Sequence, residues 1–252
     1  MQAKGTGYRG AALLGGALAL SLAAAPVAAG TLQFFANGED LATEGFVEDK
    51  LSKDGWVLRF EHIFVALSEV TAYQTDPPFD PMPGTPMSVA TSLTLPGTFV
   101  LDLVQDAGED DRILVGEADA QPGHYNAVGW RMVPAPDGPS EGVVMLFVGT
   151  ATRGDDEVQF RLASDEVHGY ACGEFVGDER KGFVTGDHVA DVEMTFHLDH
   201  IFGRADKAVD DPMNVGAFGF DPFASERGMQ TVSLRGLHIG HAGEGHCHVV
   251  WE

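Results

Sequence analysis

Cationic side chains are scarce in this chain: 15 lysines and arginines stand against 38 aspartates and glutamates, a formal net charge of −23. A field of that sign repels polyanions, so nucleic acid and anionic lipid are poor partners. Long apolar runs are also missing. Beyond residue 25 no stretch approaches the roughly 20 residues needed to span a bilayer, so no membrane span is expected. Signatures of common enzyme classes are absent too: there is no Gly-x-Ser-x-Gly elbow, no His-Glu-x-x-His, no glycine-rich phosphate loop and no dinucleotide fingerprint. Heptads and fixed-period repeats are lacking. Cysteine is limited to Cys172 and Cys247.

What is present begins at the N-terminus. Lys4 and Arg9 precede an uncharged run of small and apolar residues from Ala11 to Ala25. Pro26 interrupts it, and Val27-Ala28-Ala29 places small residues where a signal peptidase cuts, so residues 1–29 read as a signal peptide cleaved before Gly30. No cysteine follows that would carry a lipid anchor. The mature chain, residues 30–252, is expected in the periplasm or secreted, as one domain. In an oxidising compartment Cys172 and Cys247 read first as a disulfide. The alternative makes Cys247, flanked by His246 and His248, a thiolate ligand for a soft metal.

Between recurrent Gly, Pro and Asp the apolar segments are short and rich in β-branched and aromatic residues. Residues 56–73, WVLRFEHIFVALSEVTAY, are long enough for one extended strand or two joined at a bulge. Alternation around the Pro96-Gly97 turn, a strand over 126–133, a hairpin with its tip at Gly154-Asp155-Asp156, a strand over 190–202 and another over 228–239 complete the pattern. Regularly spaced short strands predict an all-β fold, a single antiparallel β-sandwich with long acidic loops.

The ten histidines are unevenly spread. His197, Asp199 and His200 stand in the run HLDH. In a regular strand His197 and Asp199 would share a polar face with Asp191, Glu193 and Thr195, and His200 would point to the other side. Either a bulge re-aims His200, or only His197 and Asp199 act together. The second cluster runs from His238 to His248. Its glycines allow a tight fold-back, His246 and His248 fall on one face, and His241 and Glu244 lie on a flexible loop. Imidazole and carboxylate together suit Zn²⁺, Cu²⁺ or Ni²⁺. His62, in FEHIF, aligns with Trp56, Leu58, Phe60 and Phe64 and reads as structural. Asp206, Asp210, Asp211, Asp221 and Asn214 offer a weaker oxygen set for Ca²⁺.

The run Thr195-Phe196-His197-Leu198-Asp199-His200-Ile201-Phe202 resembles a motif of uncharacterised secreted bacterial β-sandwich proteins, Thr-x-His-x-Asp-His-Leu-Phe. There it follows a segment with a His shortly before a Cys, matched here by His168 to Cys172. The resemblance spans mainly residues 165–223 and implies a secreted sandwich with His197, Asp199 and His200 as a metal site. The glycine- and histidine-rich tail departs from that pattern. The expectation is a periplasmic transition-metal-binding protein for Zn, Cu or Ni, Zn or Cu first, serving uptake, delivery or buffering, with an envelope protein as the receiver of the ion. His197, Asp199 and His200 would form one half of the site; His241, Glu244, His246 and His248 would form the other. The alternatives are an envelope interaction module that binds no metal and a metal-dependent hydrolase with Glu244 as general base.

Overall fold

The computed structural model describes residues 1, 2, 5, 29–107 and 111–251. The expected signal peptide lies almost wholly outside the described residues. Among them the chain forms fifteen strands, three short α-helices and one 3-10 turn over Asp221–Phe223. In chain order these are β1 (Gly30–Asn37), α1 (Glu39–Thr43), β2 (Val57–Thr75), β3 (Val89–Thr94), β4 (Thr98–Asp102), β5 (Ile113–Ala120), β6 (Gly123–His124), β7 (Ala127–Met132), β8 (Met145–Arg153) and β9 (Asp156–Ser164). There follow β10 (His168–Cys172), β11 (Phe183–Val184), β12 (Val189–Phe196), α2 (Asp199–Phe202), α3 (Pro212–Gly216), β13 (Met229–Thr231), β14 (Gly240–Ala242) and β15 (Gly245–Trp251). No described helix is long and apolar enough to cross a membrane.

The β-branched and aromatic run after Trp56 does form a single strand, β2, 19 residues long. Two register shifts bend it, between Phe60 and His62 and between Ser68 and Thr71. The first inverts the expected facing of the next residues. Leu58, Phe60, Ile63 and Val65 are buried, while His62 and Phe64 turn outward together. His62 stacks on Phe64 and its Nδ1 lies 2.6 Å from Oδ2 of the buried Asp102, so it faces outward in a hydrogen-bonded pair and does not belong to the core row. β3 and β4, on either side of the Pro96-Gly97 turn, pair with β2.

The expected antiparallel sandwich is corrected to one large, curled, mixed sheet. Its order is β13-β9-β8-β2-β7-β10-β15-β14-β12-β1-β5, with β3 and β4 alongside β2. Two of its pairs, β1 with β12 and β9 with β13, are parallel. The reason lies in β15. Its first residues pair with β14 and the rest pair with β10, so the last strand joins two wings that would otherwise be separate sheets. Alternation within a segment reports which side is buried, not which strand lies beside it.

Curling buries one aromatic core between the wings. Phe196 of β12 packs edge-on to Trp130 of β7, ring centres 6.0 Å apart. Phe202 meets Phe46, Phe60 and Phe147. Cys172 and Cys247 stand directly opposite in the β10/β15 ladder and form the expected disulfide, which rules out the thiolate-ligand alternative. Residues 228–239 are strand only over Met229–Thr231, so the expected penultimate strand is shorter and the true one is β14.

Candidate metal centre

β12 alternates as the sequence suggests: Val192, Met194 and Phe196 face the core, and Asp191, Glu193 and Thr195 take the polar side. That polar side is closed over. Lys181 and Arg112 bracket Asp191 and Glu193, and Thr195 Oγ1 accepts from Gly243 N–H. His197 continues the polar row one step past the strand end. Its Nε2 lies 3.2 Å from the Gly243 carbonyl. A carbonyl can only accept, so Nε2 carries a proton, and in the neutral ring Nδ1 keeps its lone pair.

The strand ends at Phe196, and this settles the orientation of His200. Leu198, Ile201 and Phe202 are buried at a spacing of i, i+3 and i+4, which is helical, not extended. The single turn α2 closes with Gly203 at φ 65°, its N–H bonded to the Asp199 carbonyl. With the apolar trio anchored below, Asp199 and His200 project together to the side of His197. A helical turn replaces the bulge that an extended reading requires. Donor atoms of His197, Asp199 and His200 all lie within 4.8 Å of one another, and among the described residues this is the group able to hold a metal ion.

The tail supplies the rest. β14 and β15 form a hairpin turning at Gly243-Glu244, with Gly243 at φ 59°, a value glycine takes without strain. His241 is therefore not on a flexible loop. It sits in β14, opposite Thr195 on one side and His246 on the other. Its ring centre is 4.2 Å from that of His197, 5.1 Å from His200 and 4.9 Å from His246. His241 Nε2 donates to the His238 carbonyl at 2.8 Å, which again frees Nδ1. So the two sequence clusters meet. His246 is exposed at the lip of the group, and Glu244 is exposed on the turn. His248 shares the face of His246, and both line a groove of about 540 Å³ with Met82 and Trp251; none of its ring contacts reaches the other histidines.

One residue of the site carries no local mark in the sequence. Glu39, just after β1, holds φ at 55° and places Oε2 3.8 Å from His197 Nδ1. Its carboxyl group is raised above the usual carboxylate range, first by burial and then by Asp199, Glu244 and Asp40, against the pull of His197. Asp199 is raised for the same first reason, with His197, Arg204 and nearby backbone N–H groups opposing. Burial pushes His200 down to about 4, helped by His197, His246 and His238, and His241 to about 3, helped chiefly by His197.

No protein-family model matches this chain, and no curated protein or solved structure is significantly similar to it.

The geometry itself is selective. With a metal–nitrogen bond of about 2.0–2.1 Å, two imidazoles on one ion have ring centres roughly 5 to 6.4 Å apart, from tetrahedral to linear arrangement. His197–His200 at 5.7 Å and His200–His241 at 5.1 Å fit that window. His197–His241, at 4.2 Å, is closer than one ion would hold them. Two atoms of the group, Asp199 Oδ1 and His241 Nδ1, are buried without a hydrogen-bond partner among the described residues. Such orphaned groups are costly in a folded interior. An unpaired carboxylate oxygen and a bare imidazole nitrogen are the kinds of donor a borderline cation satisfies.

The weaker oxygen set does not assemble. Asp206 pairs with Arg204, Asp211 caps α3 through Met213 N–H, and Asp221 accepts from Trp56 Nε1 and pairs with Arg153. The Asn214 side chain is bonded to the backbone of Arg204. Those groups serve the loop.

Proposed function

We propose that this chain binds one transition-metal ion, Zn²⁺ or Cu²⁺, at His197, Asp199 and His200, and that the His241 ring moves roughly 1 Å away from His197 to complete the shell. The observation that carries this reading is the pair of orphaned buried atoms, Asp199 Oδ1 and His241 Nδ1, beside three donors within 4.8 Å of one another. Mixed imidazole and carboxylate donors suit borderline divalent ions, and thiolate is excluded because both cysteines are bridged. The Gly243 carbonyl, on the Nε2 side, is the outer partner that orients His197, as such acceptors commonly do for ligating histidines, and Glu39 adds a carboxylate 3.8 Å from Nδ1.

Burial favours holding and releasing an ion over turnover. His197 is 6% exposed, Asp199 8% and His241 2%, so the donors face one another and leave little room for a substrate. The role is uptake, delivery or buffering in the periplasm, and the Cys172–Cys247 bridge suits that oxidising location. Titration calorimetry of the metal-free chain with Zn²⁺ and with Cu²⁺ tests this. One tight site that vanishes in His197→Ala/His200→Ala supports it; a flat titration with both ions removes it.

A further inference from the structure

Beyond the holding site, two exposed histidines adjoin it. His238 and His246 stand at the groove lip with ring centres 6.4 Å apart, and His246 is 4.9 Å from His241. Both spacings match or closely approach the window in which neighbouring imidazoles share one ion. Taken inward, the pairs are His238–His246, His246–His241, His241–His200 and His200–His197. Each pair shares one residue with the next. An ion moving along them exchanges one ligand at each step and keeps the other, so it is never stripped of protein donors.

We propose that His238 and His246 form an outer capture site for a divalent borderline cation, which passes through His241 to the buried donors. This inference rests on the holding-site reading above. Three further features support a path over a mere surface cluster. His238 is exposed, yet its carbonyl fixes the His241 ring with Nδ1 bare, so the outer site sets the orientation of the inner one. His241 is buried but contacts both His246 and His200. The groove that His238 and His246 line also carries Met82 and His248, a soft thioether and another imidazole, and so gives arriving ions further donors at the surface.

A relay makes a kinetic prediction that a structural or holding role does not. Removing it slows arrival and departure together and leaves the affinity of the buried site alone. The test is stopped-flow mixing of the full metal-free chain with Zn²⁺, followed by chelator-driven removal, in wild type and in His238→Ala/His246→Ala. Both substitutions are at exposed positions, and circular dichroism checks that the fold is kept. The expected result is that both rates fall about tenfold, while the dissociation constant stays within twofold. Rates within twofold of wild type overturn the proposal. So does a tenfold weaker affinity with unchanged association, which would place His246 in the holding shell. If wild type itself takes up no Zn²⁺, the holding-site reading fails first, and the relay falls with it.

Discussion

Asp199→Asn separates stability from binding, and the two effects should have opposite signs. In the metal-free protein the Asp199 carboxylate is buried, its Oδ1 has no partner, and burial has raised its pKa. An unsatisfied buried polar group costs about 1–3 kcal/mol. His197, Arg204 and backbone N–H groups recover part of that cost here. An asparagine keeps the shape, loses the charge and gains an N–H₂ that can donate to the bare nitrogen of a neighbouring imidazole. The metal-free variant should therefore be more stable by about 1–2 kcal/mol, a gain typical when a functional site is relieved of its strain. For a domain of this size that is about 2–4 °C in Tm per kcal/mol. Ion affinity should fall at least 100-fold, about 2.7 kcal/mol, because an amide oxygen replaces an anionic donor. Urea unfolding of metal-free protein gives the first number and calorimetric titration the second. A variant that is destabilised when metal-free and binds the ion as before would refute the reasoning and make Asp199 a structural anion.

Other perturbations probe the supports of the site. Cys172→Ala/Cys247→Ala opens a link across 75 positions, which the chain-entropy model values at about 4 kcal/mol; denaturant midpoints of the two proteins check it, and a loss under 1 kcal/mol contradicts it. Gly240→Ala would set a Cβ 2.7 Å from Tyr170 Cε1 and 2.8 Å from Trp130 Cζ2. We expect a loss of about 2 kcal/mol or more together with weaker ion binding, because His241 follows directly; thermal melts with calorimetry report both, and an unchanged Tm would show that the rings yield freely. His168 is buried, with Nδ1 on the Glu166 carbonyl and Nε2 on the Tyr170 hydroxyl, and desolvation holds its pKa below the ordinary value. The unfolded chain then binds more protons below about pH 6.5, so this contribution to stability is complete above that pH and is lost as pH falls toward the folded pKa. His200 and His241 act with the same sign, whereas Glu39 and Asp199, both raised, gain stability as pH falls through their folded values. His168→Gln should flatten the decline in metal-free stability between pH 7 and pH 5; an unchanged slope would mean that His168 is not held neutral.

Much of this arrangement is written locally. The aromatic run of β2, the β8/β9 hairpin turning at Gly154-Asp155, and the polar row of β12 follow from period-two patterning and turn residues. The pairing of Cys172 with Cys247 follows from their count of two and the oxidising compartment that the N-terminal run leads one to expect. Three features are not local. The joining of the wings depends on β15 serving two neighbours, which no single segment encodes. Glu39 reaches His197 from the far end of the chain, across the parallel pairing of β1 with β12. And the turn α2 hides inside a stretch that alternates well enough to pass for a strand. Its signal is present, since Leu198, Ile201 and Phe202 before Gly203 have helical spacing, but four residues are too few to outweigh the strand pattern before them. That one turn decides whether His200 joins the site.

The measurement that bears most directly on the central claim is elemental analysis of untagged protein purified from its native compartment, beside His197→Ala/His200→Ala. The account predicts near-stoichiometric zinc or copper in wild type and its loss in the variant. No transition metal in wild type, even after incubation with the ions and gel filtration, would contradict it.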